Sequence, residues 1–525
     1  MIMKKLSLLL LLAVATSLSL IGQDAPNPTL NTAIRKHGLE KSKVMDIASW
    51  MCDVYGPRLT GSPMLDKATD WAQKTLKDWG MSNVHLEAWG PFGRGWEFTH
   101  FAMHATAPNY FPIIAYPKAW SPATKGVLSG EVIYLQADDE EDLKKLKGKL
   151  KGKFVLLDTI RTLKEWMDAP AKRYTSEDLL DMANAAAPGR RPDRDFNRLG
   201  GLSFNQKLFK FIMEEEPLAV LDRGFKGDLG TVFVTGARAE EGRVQDPKAK
   251  VIPQATLSVE HYNRIFRMMQ KGIPVTLSME LKANYTNPDG MEHNIIAEIP
   301  GTDLKDEVVM LGAHFDSWHT GTGATDNGAG SSVMMEAARI ILETIKETGI
   351  KPRRTIRLAL WTGEEQGLLG SRGYVKEHFA NTSPEGTIQS IKEAEQSKIS
   401  GYFNLDNGTG KIRGVYLQGN AGVSPVFRAW LDPFKDLGAA TLTLQNTGGT
   451  DHQAFDAAGI PGFQFIQEPI AYSTRTHHSN MDNWDHLVED DLKQASTIIA
   501  SFVLHTAMRD EKLPRKATEL KAGSN

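Results

Sequence analysis

A single cysteine, Cys52, in 525 residues excludes an intrachain disulfide and any metal site built mainly from thiolates. Neither sign of charge is in excess. Sixty-one Lys and Arg stand against 64 Asp and Glu, a formal net charge of -3, so no global field draws the chain to nucleic acid, which is not an expected partner. Long apolar runs are missing beyond the amino terminus, so no stable membrane span is expected. Two further signatures are absent. No G-x-S-x-G turn offers a nucleophilic serine, and Gly328-Ala-Gly330-Ser331-Ser332 lacks the lysine of a phosphate-binding loop, so it reads as the entry to a helix.

What is present is a long, ordinary globular composition. At 525 residues the chain exceeds a typical single domain several-fold, so two or more compact units are expected. The start, Met1-Ile-Met-Lys4-Lys5 followed by an apolar run from Leu6 to Ile21, has the charge and length of a secretory signal over residues 1–22. It predicts export to the periplasm or the extracellular space. Cys52 follows Trp50 and Met51 in an apolar stretch and reads as a buried structural thiol. Basic residues near the end, Lys512, Arg515, Lys516 and Lys521, read as a solvated polar tail over 511–525.

Residues 31–79 carry helical apolar spacing interrupted by the turn-rich Tyr55-Gly-Pro-Arg58-Leu-Thr-Gly-Ser62-Pro63. Strands are expected at 127–135, 153–157, 218–221 and 231–235, forming a separate smaller unit. Within it, 169–200 is turn-rich and reads as a surface excursion. From about Asn284 apolar strands alternate with helices: strands at 308–313, 356–361, 401–404 and 461–466, helices at 328–347 and 492–508. This α/β alternation predicts a largely parallel sheet covered by helices.

In such sheets functional groups gather beyond the carboxyl ends of the strands. The strand 308–313 ends at His314-Phe-Asp316, and a Gly-rich loop then presents Asp326. The strand 356–361 leads to Glu364-Glu365, the strand 401–404 to Asp406, and a late loop carries His477-His478-Ser-Asn-Met-Asp482. Imidazoles and carboxylates without thiolate suit zinc best among common metals. A carboxylate shared by two ions brings both to one hydrolytic transition state, and Asp326 is the expected bridge. Asp316 and Asp482 are expected to orient the imidazoles of His314 and His478. Of Glu364 and Glu365, one binds metal while the other handles protons; spacing does not say which. Thr450, Asp451 and His452, in a Gly-rich loop, are weaker candidates for substrate contact.

These residues resemble the M28 family of zinc exopeptidases, especially its carboxypeptidase Q-like and secreted aminopeptidase-like members. The resemblance rests on His314-Phe-Asp-Ser317, Gly323-Ala-Thr-Asp326-Asn-Gly-Ala-Gly330, Trp361-Thr-Gly-Glu-Glu-Gln-Gly-Leu-Leu-Gly370-Ser371, Asn404-Leu-Asp406 and His478-Ser-Asn-Met-Asp482, in the family's order. Gly56-Pro-Arg-Leu-Thr-Gly-Ser62 adds an early segment. The resemblance implies a three-layer αβα fold and two Zn²⁺ per chain: His314 and Asp406 complete one site, Glu365 and His478 the other, and Asp326 bridges them. It makes Glu364 the general base, prefers His478 over its neighbour His477, and implies a cis peptide between Asp326 and Asn327. The zinc peptidase domain would comprise 23–120 and 282–510. The stretch 121–281 looks like an inserted protease-associated domain, a class thought to cover the cleft or to help form a homodimer. The expected activity is hydrolysis of peptides at a chain end, as an aminopeptidase or dipeptidase, by a hydroxide held between the metals. A carboxypeptidase, a single-zinc glutaminyl cyclase and a metal-free binding module are the alternatives.

Overall fold

The computed structural model describes residues 24–188, 204–383 and 386–516; the expected signal, 1–22, lies outside them. The molecule is organised around two eight-stranded sheets. The first takes its strands in the spatial order Ser82–Trp89, Glu292–Ile299, Arg354–Trp361, Leu304–His314, Ile399–Asn404, Gly462–Gln467, Ile412–Tyr416 and Thr441–Thr443. Its centre is parallel: Leu311 pairs with Leu358 on one side and with Phe403 on the other, and Phe403 with Phe463. The carboxyl ends of four strands therefore share one edge.

Alternation along these strands builds the layers. Val309, Leu311 and Ala313 join one core with Leu358 and Phe403, under the helices Ala329–Thr348 and Glu489–Met508. Val308 and Met310 join the opposite core with Ala359, Trp361 and Tyr402, under the helices Leu369–His378 and His452–Ala457. Ala329–Thr348 is rich in strong helix formers and stops at Gly349, whose φ of 72° ends it in the left-handed region. The result is the expected three-layer α/β arrangement on a mixed sheet. Cys52 is fully buried within the first core.

The second sheet runs in the order Phe111–Pro112, Gly95–Ala107, Thr276–Thr286, Leu128–Tyr134, Phe154–Leu156, Ala219–Asp222, Gln254–Leu257 and Ala115–Pro117. It begins and ends outside the 121–281 limits read from the sequence. The reason is a long antiparallel pair, Gly95 opposite Thr286 and Ala107 opposite Thr276, whose partners are too remote in sequence to signal each other.

Three local expectations are corrected. Residues 231–235 form no strand; Phe233 makes an isolated bridge to Ser479 in the first unit, and the sheet ladder passes them by. The described part of the tail is docked, because Leu513 is buried and Arg515 donates to the carbonyls of Gly459 and Ile399. The excursion after Ala169 contains an exposed helix, Ser176–Asn184, and is tied to the first unit through Lys172 N–H to Ile470 O at 2.9 Å and Tyr174 N–H to a Glu468 carboxylate at 2.6 Å. No described helix is long and apolar enough to cross a membrane.

Candidate metal centre

His314 is the last residue of its strand and almost fully buried. Its Nε2 lies 3.3 Å from Asp326 Oδ1, 3.3 Å from Asp406 Oδ1 and 4.0 Å from Glu364 Oε2. On the other side of Asp326, Oδ2 is 3.2 Å from His478 Nε2, which is also 2.9 Å from Glu365 Oε2. One carboxylate thus faces two imidazole–carboxylate groups. His477 stacks on His478 with ring centroids 3.7 Å apart, but its Nε2 stands 3.7 Å from Asp326, farther than that of His478.

The chain path explains this convergence. Gly363, at φ 71°, turns the backbone straight from the strand into Glu364, and a Cβ there would meet the Trp89 ring at 2.4 Å. The Asp326–Asn327 peptide is cis, and Asn327 bonds the Leu405 carbonyl at 2.9 Å beside Asp406.

Asp482 does different work from that expected, and Asp316 does more than was expected of it. His314 Nδ1 bonds the backbone carbonyl of Asp316 at 3.0 Å, with the carboxylate at 3.6 Å. The Asp316 carboxylate also accepts from Thr60 Oγ1 at 2.8 Å and from the backbone N–H of Glu364 and Glu365 at 3.2 and 3.3 Å. Asp482 accepts from the backbone N–H of Thr325 and Asp326 at 2.6 and 3.1 Å, fixing the shared carboxylate's main chain. Both acids hold ligand-bearing backbone, because the turns aim unpaired N–H groups at them.

The early Gly56–Ser62 segment supplies a further support. The fully buried Arg58 guanidinium donates to the carbonyls of Phe315, Met51, Thr322 and Gly323 at 2.7, 3.0, 3.0 and 2.9 Å, locking the loop that leads to Asp326. Its place in a turn-rich motif was visible in sequence; its four partners were not.

The electrostatics call for a cation. Among the described residues His314 Nε2, Asp326 Oδ2, Glu365 Oε1 and Asp406 Oδ1 are buried with no hydrogen-bond partner, and one ligand atom each of His314, Asp326 and Asp406 lie within 4.8 Å of one another. Burial and neighbouring acids push the Glu364 carboxyl well above the usual range and Glu365 up to about 7. Burial would depress His478, but Glu365 and Asp326 raise it to about 10. Unpaired carboxylate and imidazole atoms of this kind, without thiolate, fit divalent zinc.

A cavity of about 660 Å³ opens on this cluster, walled by Asp406, Glu364, Thr450, Gln453, Tyr472 and Arg372. Thr450 faces it and also accepts from Asn404 Nδ2 at 2.9 Å. Asp451 and His452 are fully buried behind that wall, because the chain turns inward to start the helix His452–Ala457. Gln453, Tyr472 and Arg372 were missed, since nothing in their local sequence distinguishes them.

Residues 294–503 match the family model described as Peptidase family M28. Carboxypeptidase Q of Mus musculus is 27% identical over 495 residues, covering 94% of this chain and 91% of that protein. The chain carries a peptidase family M28 domain over residues 294–503. It is accordingly a metallopeptidase, a hydrolase of peptide bonds. Carboxypeptidase Q of Homo sapiens is 26% identical over 500 residues, covering 94% of this chain and 90% of that one. The crystal structure of a Peptidase M28 precursor from Shewanella amazonensis SB2B superposes with a TM-score of 0.66 at 26% identity, covering 93% of this chain and 99% of that one. The zinc aminopeptidase BSAP from Bacillus subtilis shares the fold, with a TM-score of 0.55 at 20% identity over 90% of this chain and 96% of that one.

Proposed function

We propose that this chain is an exported exopeptidase that uses two zinc ions, releasing residues from the free amino end of short peptides. The carrying observation is the Asp326 carboxylate, with one oxygen 3.3 Å from His314 and the other 3.2 Å from His478. His314 and Asp406 would hold one ion with Asp326, and Glu365 and His478 the other. Zinc bound there supplies an acidified water and takes up oxyanion charge. Glu364, outside both ligand groups and kept basic by burial and nearby acids, takes the proton at its carboxylate and returns it to the leaving amine. Thr450 and Gln453 line the wall against which the peptide lies. The apolar run at 6–21 supports export. The fold of 121–281 between the peptidase segments supports its reading as a protease-associated domain.

The test compares one short peptide bearing a free amino terminus with its N-acetylated twin, each with and without chelator. Cleavage of the free-amine peptide alone, stopped by chelator, is the expected result. Equal cleavage of the acetylated peptide would shift recognition to the carboxyl end. That second reading has an observation behind it: the Arg372 cation in the cavity wall suits a terminal carboxylate, and the full-length relatives are named carboxypeptidases.

A further inference from the structure

A second cleft, of about 650 Å³, lies on the smaller unit and shares His478 as a wall residue with the candidate metal centre. It opens beyond the carboxyl ends of the parallel strands Phe154–Leu156 and Ala219–Asp222, where Asp158, Arg161 and Arg223 emerge. Crevices in that position collect ligands.

The charges lining it do not cancel. Lys118 is paired with Asp222 at 2.5 Å, and the same carboxylate accepts from Gly224 N–H at 3.0 Å. Arg223 donates to the carbonyls of Thr159 and Gly224 at 2.7 and 3.2 Å. Arg161 reaches the Gly227 carbonyl, and its buried Nε has no partner. The Arg238 guanidinium lies over the Phe209 ring, 4.7 Å from its centre. Among the described residues none of the three arginines forms an ion pair. Of the two acids that line the cleft, Asp222 is taken by Lys118, and Asp158 has its carboxyl pushed up by burial. Burial and the Arg223 charge pull Arg161 down while Asp228 and Glu260 act the other way; those two carboxylates already accept from Trp166 Nε1 and from Leu229 N–H.

We propose that this cleft anchors acidic side chains of a peptide substrate whose scissile bond sits at the metal centre, so that the enzyme prefers peptides with Glu or Asp a few residues from the cleaved end. This rests on the exopeptidase reading above. Guanidiniums bonded to carbonyls, as in Arg161 and Arg223, or lying on a ring, as in Arg238, keep free N–H groups for a carboxylate, and that fork geometry is what Arg provides. The volume suits a ligand of peptide side-chain size. A general charge effect would not produce the preference, because the whole chain carries a formal net charge of -3.

The test uses the peptides Leu-Gly-Gly-Glu-Glu and Leu-Gly-Gly-Gln-Gln. Hydrolysis of the neutral peptide by the zinc-loaded wild type reports on the exopeptidase reading alone. The cleft is read separately, as the ratio of the two dissociation constants on zinc-loaded Glu364→Gln protein, in which cleavage is suppressed. The expected ratio favours the acidic peptide about tenfold, as a charge-assisted contact does. Adding Arg161→Gln, or separately Arg238→Gln, should bring the ratio toward one; a ratio cancels any inactive fraction of a variant. Equal affinities before those substitutions, or an unchanged ratio after both, would overturn the proposal.

Discussion

Glu364 and Glu365 are neighbours with the same chemistry and separate fates. Glu365 sits 2.9 Å from His478, whereas Glu364 faces His314 only at 4.0 Å. Glu364→Gln keeps the shape and removes the basic carboxylate, so turnover should fall by roughly 10²–10⁴ while zinc content stays unchanged. Metal analysis alongside kcat checks this, and joint loss of zinc and activity would make Glu364 a ligand. Arg58 is a structural counterpart. Its charge is dispersed over four carbonyls and forms no ion pair among the described residues, so Arg58→Met leaves those buried acceptors without a donor and should cost on the order of 3 kcal/mol or more in denaturant unfolding. Wild-type stability in that variant would mean the loop holds itself. The sequence made Glu364 conspicuous because a paired acid after an apolar strand is a chemical signal. It left Arg58 as one residue of a turn, since three of the guanidinium's four partners lie more than 250 residues away.

At the scale of elements, the loop that carries His478 leans on the smaller unit. His478 has a φ of 61°, a conformation an L-residue adopts at a cost, so something outside must hold it. Val234 N–H donates to the His478 carbonyl at 2.9 Å. Asn480 accepts from Val232 N–H at 2.8 Å and donates to the Gly230 carbonyl at 3.2 Å. On the proposed two-zinc reading, Asn480→Ala should therefore weaken the site that includes His478 by about tenfold, leaving the other unaltered. Stepwise zinc titration resolves the two, and equal affinities in variant and wild type would deny the loop this support. The same segment shows where reading the sequence stops. Residues 231–235 look like a strand, but the bridge that Phe233 makes is to a loop of the other unit. Central strands such as 308–313 were legible because burial on both faces writes a continuous apolar run. The Gly95–Ala107 strand, half-exposed and paired with residues 169 to 191 positions away, writes no such run.

The two sheets meet in an aromatic junction of Trp89, Phe92, Trp96 and Trp120, with Trp318 packed against it. His319 lies in that junction between the units. It is buried against the rings of Trp96 and Phe98, and its Nε2 bonds the Pro117 carbonyl at 2.7 Å. Burial lowers its pKa to about 4 from 6.5, so the folded protein keeps this imidazole neutral. Above pH 6.5 it is neutral folded or unfolded, and its contribution is fully present. As pH falls from about 6.5 to 4 the unfolded chain takes up a proton that the folded chain refuses, and stability drains by about 3 kcal/mol across that window. Other groups titrate there as well, so the effect is read as a difference. His319→Gln retains a donor for Pro117 but cannot charge, and its stability relative to wild type should rise steadily as the pH is lowered through that window. Denaturant midpoints at half-unit pH steps measure it. Parallel curves for the two proteins would mean that the junction admits a charged imidazole, and that the pairing of the two units is indifferent to acid at this position.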